Sequence, residues 1–394
     1  MSYFKKEKLK NKLHFISFAF KNKILTVYLL SLATFFYSCI DPVPPQFDFK
    51  EDLVIVDAIA SSVPGNTFVS VKKTFIEFGE YKSKFISGCK VTLINSVTKE
   101  EIMLSEDEDS YLVSPDFRVD EGSEWELEII TPSGKTYKSL SEIVPSRVPI
   151  DLISDTYNKE MTFDVSKGKY IPGHEIRIDF QEPEATSNFY YFQYRAFEQQ
   201  TYCQICFYGV LRFGECISQI DNPAAKDYYT YICDEPCWKI SYNQEISLFD
   251  DAFTNGKMIS KLLVGKVPLN SKQNMLVEIV QLNITEEAHK YYKTIKDIVD
   301  NNSGFNAPLP SALIGNLFNQ NDLEDPVLGR FTAASGSSES IFVKRGSIDD
   351  KIVGEYRQSQ TEIFGDPLPS PITYDSPCIV GRNQTNQKPL TWPE

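Results

Sequence analysis

Histidine is nearly absent from this 394-residue chain, with three in all. His14 falls in the lysine-rich first segment, and His174 and His289 belong to no catalytic or metal-binding spacing. There is no G-x-S-x-G nucleophile turn, no H-E-x-x-H zinc helix and no glycine-rich phosphate loop, which removes the common hydrolases, metalloproteases and nucleotide enzymes. A cysteine nucleophile would need a histidine base beside it and an electropositive setting, and this chain supplies neither. Carboxylate pairs of the glycosidase kind arise by chance among 54 acidic residues, so their number alone decides nothing. Positive charge is also scarce: 40 Lys and Arg against 54 Asp and Glu give a formal charge of −14, which argues against nucleic acid and against electrostatic adhesion to anionic lipid. The expectation is a protein that is not an enzyme and needs no cofactor. His174, beside Pro172-Gly173, and His289, in a helical segment, are expected at the surface.

Long apolar runs are missing as well. The run from Ile24 to Phe36 falls short of the roughly 20 residues that a permanent membrane helix needs. It follows Lys5, Lys6, Lys8, Lys10, Lys12, Lys21 and Lys23, opposed only by Glu7, and so reads as a signal peptide over residues 1–38. Phe36-Tyr37-Ser38-Cys39 resembles a bacterial lipobox, with the small residue before the cysteine in place and bulky Phe36 and Tyr37 departing from the usual pattern. Cys39 is the expected lipidation site, holding the protein to a membrane through acyl chains that each contribute about 0.8 kcal/mol per buried methylene. An ordinary exported protein with a chance cysteine is the alternative. Residues 39–50, with Pro42, Pro44 and Pro45, read as a proline-rich tether. Asp41 is compatible with an acidic surface-export signal, so the expected location is the outer membrane, facing the cell surface.

Export makes disulfides the default use of cysteine. Cys203, Cys206, Cys216, Cys233, Cys237 and Cys378 are the candidates, able to make three bridges with one tying the tail to the body; sequence leaves the pairing open. Cys89 is expected as a free buried thiol. The alternative is zinc on Cys203, Cys206, Cys233 and Cys237, whose spacings nearly suit four thiolates.

With 42% hydrophobic and 13% aromatic residues the chain is a folded one. Short alternating runs bounded by turn residues predict a mainly β fold: an N-terminal Ig-like β-sandwich over residues 51–146, then a larger β-rich domain over 147–346 with one prominent helix near 285–300, and an irregular tail over 347–394. Strands are expected at Leu53 to Ala60, Asn66 to Lys73, Lys90 to Asn95, Glu101 to Leu104, Glu124 to Ile129 and Lys135 to Leu140, the last two forming a hairpin. Beyond a linker at Val144 to Pro149, further strands are expected at Glu175 to Asp179, Phe189 to Phe197, Ile240 to Leu248 and Asn274 to Leu282. The acidic run Ser105 to Ser110 lacks the spaced ligands of a calcium loop and reads as a solvated turn. Thr285-Glu286-Glu287 begins the helix, and Ala288, Tyr292, Ile295 and Val299 mark its packing face. Phe189 to Tyr194 is aromatic at both parities, which suits a strand buried on both sides. Tyr191 and Tyr229 are the candidate ligand-binding aromatics should the region face a glycan or peptide.

In order along the chain, Cys39, Val56-Asp57-Ala58, Gly88 to Val91, Gly134 to Ser139, Cys237-Trp238, Thr285-Glu286-Glu287 with Tyr291-Tyr292, Pro308 to Pro310, Gly315-Asn316 and Val327 to Phe331 resemble the DUF4249 family of Bacteroidetes lipoproteins. Ala58, Cys89 and Arg330 depart from its usual residues. The family has no established activity. The resemblance implies a TonB-dependent outer-membrane transporter as partner, and the anchor and tether would equally suit a barrel-assembly complex. The leading expectation is therefore an accessory lipoprotein of such a barrel; a glycan- or peptide-binding surface lipoprotein is the alternative.

Overall fold

Alternating side chains along the first strand set the architecture. Val54, Val56, Ala58 and Ala60 project to one side and Ile55, Asp57, Ile59 and Ser61 to the other, because successive strand residues face opposite ways. The computed structural model describes residues 52–393 apart from 79, 166, 185, 208, 214, 222–227, 244, 302–312, 314 and 354–374. Cys39, the tether and Pro308 to Pro310 lie outside the described residues. The N-terminal strands are β1 (Val54–Ser61), β2 (Phe68–Glu77), β3 (Glu80–Phe85), β4 (Lys90–Asn95), β5 (Glu101–Met103), β6 (Ser105–Asp107), β7 (Ser110–Leu112), β8 (Glu124–Ile130), β9 (Thr136–Ser139) and β10 (Glu142–Ile143). Longer strands follow: β11 (Leu152–Asp164), β12 (Lys169–Gln181), β13 (Phe189–Phe207), β14 (Gly209–Arg212), β15 (Glu215–Ser218), β16 (Tyr228–Tyr242), β17 (Ser247–Asp250), β18 (Met258–Pro268) and β19 (Met275–Ile284). The helix α1 (Glu286–Asn301), β20 (Leu317–Asn319), β21 (Val327–Val343) and β22 (Gln384–Thr385) complete the described elements. The protein is mainly β with one helix among the described residues, and that helix is not long and apolar enough to cross a membrane.

An eleven-stranded sheet runs in the order β22-β16-β13-β19-β21-β1-β2-β7-β6, with β17 beside β13 and β3 beside β2. Two smaller sheets cover its outer face. The six-stranded sheet β20-β9-β8-β4-β5, with β10 beside β8, packs Val91, Leu93, Trp125, Leu127, Ile129 and Tyr137 against Val54, Val56, Ala58 and Ala60. This N-terminal sandwich draws on the C-terminal half, since β21 pairs in parallel with β1 from Val54↔Val327 to Ser61↔Ala334 and β20 pairs with β9. The parallel ladder covers an edge of β1 that would otherwise present unpaired backbone groups. The three-stranded sheet β11-β12-β18 packs Ile176, Ile178 and Phe180 onto Tyr190, Phe192 and Tyr194 of β13. Phe189 and Tyr191, of opposite parity, join the cluster around α1. The strand is therefore buried on both sides, as its aromatic content suggests.

The two ends of the large sheet meet. Arg382 N, just before β22, donates to Asp107 Oδ2 of β6 at 2.9 Å, and Asn383 Nδ2 donates to Glu108 Oε2 at 3.2 Å. The Arg382 guanidinium lies 3.7 Å from the ring centroid of Phe68 on β2 and 5.0 Å from that of Tyr242 on β16. One side chain can touch both strands only because the twisted sheet has rolled on itself. The acidic run is a short hairpin whose exposed turn at Glu108 and Asp109 fits the expectation, and it also acts as a clasp; Glu106 is engaged too, accepting from Gly88 N at 2.6 Å.

Several expectations need correction. Val144 to Pro149 is no free linker: Val144 and Val148 are buried, Gln281 Nε2 donates to Val148 O at 2.8 Å, and Val148 N donates to Asn283 Oδ1 at 3.2 Å. Buried amides and carbonyls need such partners. The single strand expected at Ile240 to Leu248 is divided between β16 and β17, and Asn243 Oδ1 in the break accepts from Tyr194 N at 3.1 Å. On α1, Thr285 Oγ1 accepts from Ala288 N as the expected cap, and Ala288, Tyr292 and Ile295 pack inward, whereas Val299 is exposed because the helix outruns the sheet. Both histidines are buried. His174 lies inside β12 with Nδ1 3.0 Å from Asp155 Oδ2, and His289 packs its ring 5.2 Å from Phe189.

Candidate functional site

Strands β13 and β16 pair regularly from Arg195↔Tyr242 to Gln200↔Cys237, and then their register shifts around Tyr202. Such irregularities bend a strand and re-aim its side chains. Disulfides pin this region: Cys203–Cys233 joins β13 to β16, Cys206–Cys216 ties in the β14-β15 hairpin, and Cys237–Cys378 fastens the C-terminal segment. All six candidate cysteines are bridged, one pair linking tail to body, and Cys89 is free and buried, its thiol pushed up by burial. The sulfurs of Cys203, Cys233 and Cys237 lie within 4.8 Å of one another, but all are in disulfides and so are not the thiolates that zinc takes.

Beside the disulfides opens a cleft of about 780 Å³, a size typical of ligand sites. Its walls carry the amides of Gln199, Gln200, Gln273 and Asn274, the carboxylates of Asp234 and Glu235, and Lys272. Trp392 and Phe342 supply aromatic surface, their rings edge-on at 5.4 Å, with Trp238 6.0 Å behind Trp392. Trp392 reaches this place because Cys378 is bonded to Cys237 and because β22 pairs with β16 at Trp238 and Lys239. The opposite wall is held from beneath by Arg345, fully buried, whose Nη2 donates to Pro268 O at 3.2 Å and whose N donates to Asn274 Oδ1 at 2.9 Å. Burial pulls the Arg345 guanidinium down to about 10. Ser271 Oγ, on the same turn, donates to Glu198 Oε2 at 2.6 Å. Amides that both donate and accept, carboxylates that accept and a half-buried indole make a surface for hydroxyl-rich or peptide ligands.

The aromatics singled out in the sequence are not in this cleft. Tyr191 stacks on Tyr292 of α1 at 4.6 Å, and burial pushes its hydroxyl up to about 12. Its parity on β13 turns it toward the helix, so it offers no free face to a glycan. Tyr229, on β16, pairs through its backbone with Cys206 of β13, and its side chain lies outside the described residues. Trp392, Gln199, Gln200 and the Lys272 to Asn274 turn went unnoticed in the sequence. Cys378 carried the one available signal, since a bridged cysteine in the tail brings its neighbours onto the body.

A second groove, of about 540 Å³, lies between α1 and β10. Glu142 and Arg330 form a buried ion pair there. Asn316 Nδ2 donates to Glu142 Oε1 at 3.1 Å, and Thr285 Oγ1 donates to Glu142 Oε2 at 3.1 Å. Burial raises the Glu142 carboxyl and Arg330 opposes the rise. Gly315 and Gly329 are required by close backbone contacts: a Cβ on Gly315 would sit 1.7 Å from Gly329 O, and one on Gly329, at φ +109°, would sit 1.8 Å from Val56 O. Val56, Thr285, Gly315-Asn316 and Gly329-Arg330, distant in sequence and all among the residues that carry the resemblance, therefore meet at one packed junction.

A family model described as a domain of unknown function, DUF4249, matches residues 40–340. No curated protein and no solved structure matches the chain.

Proposed function

The chain belongs to the DUF4249 family, and on that premise we propose that it is a non-enzymatic Bacteroidetes lipoprotein of the outer membrane, one that binds a glycan or peptide in the cleft beside Trp392. The observation that carries the binding reading is the company of that indole: four amides, two carboxylates and a lysine around one open cleft. Diacylation of Cys39 would hold the protein at the membrane, with residues 39–50 as a short tether and the cleft on the cell-surface side. Incorporation of labelled palmitate, lost in Cys39→Ser, tests the anchor. Titration with panels of oligosaccharides and short peptides, read by tryptophan fluorescence, tests the cleft, and a panel in which nothing binds would overturn it.

A second reading concerns the partner. The lysine-rich leader, Cys39 and the proline-rich tether suit a protein that works beside an integral barrel, a TonB-dependent transporter or an assembly complex, and the cleft would then capture ligand on the barrel's behalf. Affinity capture of the tagged protein from gently solubilised outer membranes, followed by mass spectrometry, tests this. A co-purifying barrel protein supports it, and recovery of the protein alone sinks it.

A further inference from the structure

The inner face of the rolled sheet brings charged groups together beside the apolar cluster around α1, in a region termed the chamber. Asp57 of β1 points inward, on the same face as Ile59, which pairs with Phe68, and as its own partner Ser70; Lys72 follows on that face of β2. The guanidinium of Arg382 enters from the closing seam, lying over the Phe68 ring at 3.7 Å. Across the chamber, β13 contributes Tyr191, stacked on Tyr292 of α1, so the helix walls one side.

The two charges facing one another here are not spent on each other. Among the described residues Asp57 makes no ion pair or hydrogen bond, and the Arg382 guanidinium lies on the rings of Phe68 and Tyr242 with no carboxylate partner. Nearby polar groups are partnered. Arg195 is paired with Glu278 at 2.7 Å, and Gln193 Oε1 accepts from Asn66 Nδ2 at 3.3 Å. The Asp57 side chain is exposed, yet the protein around it raises its carboxyl above the ordinary range, against the pull of Arg382 and Lys72. Accessible to solvent and surrounded by protein is the signature of a concavity. An unpaired carboxylate inside one is costly unless something of opposite charge completes it.

We propose that this chamber, distinct from the cleft beside Trp392, binds a small zwitterion such as a free amino acid or short peptide, its ammonium group meeting Asp57 and its carboxylate meeting Arg382 and Lys72. Phe68 and Tyr242 hold the planar guanidinium in place. The orientation is fixed by charge, since reversing the ligand sets like charges together.

Titration calorimetry of the full-length protein in detergent tests the proposal with dialanine, its N-acetylated form and its C-amidated form as probes. Dialanine is expected to bind, and either capped form to bind at least about tenfold more weakly, the loss of one charge-assisted contact. Asp57→Asn should reproduce the loss for dialanine and abolish the discrimination against N-acetylation, and Arg382→Gln should do the same for C-amidation. Arg382 also lies at the sheet seam, so Lys72→Gln, with no role in closure, provides a second variant expected to weaken dialanine several-fold. Absence of dialanine binding, equal binding of capped and uncapped forms, or full affinity in Asp57→Asn would each overturn the proposal.

Discussion

The two faces of β1 make the most instructive comparison in the molecule. On the outer face Val54, Val56, Ala58 and Ala60 meet Val91, Leu127 and Ile129 in an apolar core; on the inner face Asp57 is exposed, with Arg382 and Lys72 as its nearest opposite charges. The same eight residues thus pack throughout on one side and only in part on the other, where Ile59 joins the apolar cluster around α1 and Asp57 stays exposed. The outer face gains stability in proportion to apolar area removed from water. The inner face forgoes that gain at Asp57, a sacrifice more natural to a binding surface than to a structural one. The cleft beside Trp392 lies elsewhere on the same sheet, where disulfides replace a broad apolar core as the means of holding walls in place.

The largest effect should come where the faces are joined. Gly329→Ala places a methyl against Val56 O, and Gly315→Ala places one against Gly329 O; neither backbone can give way without opening the β1-β21 ladder. A loss of more than about 4 kcal/mol in urea unfolding, or no folded protein at all, is expected. Next comes the tail. Cys237 and Cys378 are separated by 141 residues, and by chain entropy alone removing their bridge in Cys237→Ser/Cys378→Ser costs about 5 kcal/mol. Thermal unfolding measures this, with the tryptophan emission of the cleft shifting toward its solvent-exposed value.

The contrast between faces is sharpest in a matched pair. Leu127→Ala, on the outer side, should lose about 2–5 kcal/mol. Asp57→Asn should leave stability at neutral pH unchanged or higher, because a carboxyl whose pKa is raised on folding is a charge the folded state disfavours. A destabilised Asp57→Asn would show that the inner face is structural after all.

The smallest effect is a pH dependence. Burial lowers the pKa of both His174 and His289 below 6.5, so the folded state favours the neutral rings. Their stability contribution is complete above 6.5 and is lost as pH falls, since the unfolded chain takes up protons that the folded one refuses. The buried Glu142 and Glu182 have raised pKa values and act with the opposite sign. Comparing melting temperatures between about pH 7.5 and pH 5 in wild type and His174→Gln/His289→Gln isolates the histidine part, which the double variant should lack.

Much of the fold is legible in the sequence because it rests on local rules. Glu124 to Ile129 alternates strictly and forms β8, Thr131 to Gly134 turns it back onto β9, and Thr285 caps α1. What was illegible depends on contacts remote in the chain. Nothing near Asp107 announces that it will bond Arg382, 275 residues later, and without that bond the acidic run reads as a solvated turn. His174 looks exposed beside Pro172-Gly173, yet that glycine lies where Val267 O approaches to 2.5 Å of a would-be Cβ, so the pair sits within a strand under close cover. β11 is hard to read because all but one of its residues are partly buried or exposed, which blurs the alternation that betrays other strands. The candidate site suffered most, since Trp392 and Gln200 become neighbours only after three disulfides and a rolled sheet are in place.

The most direct test of the central claim is to measure ligand affinity and thermal unfolding together for Trp392→Ala, using whichever oligosaccharide or peptide the panel identifies. Binding lost with a melting temperature within a few degrees of wild type is the result predicted for a cleft built to bind. Undiminished affinity would contradict the claim, leaving Trp392 as a packing residue of the tail.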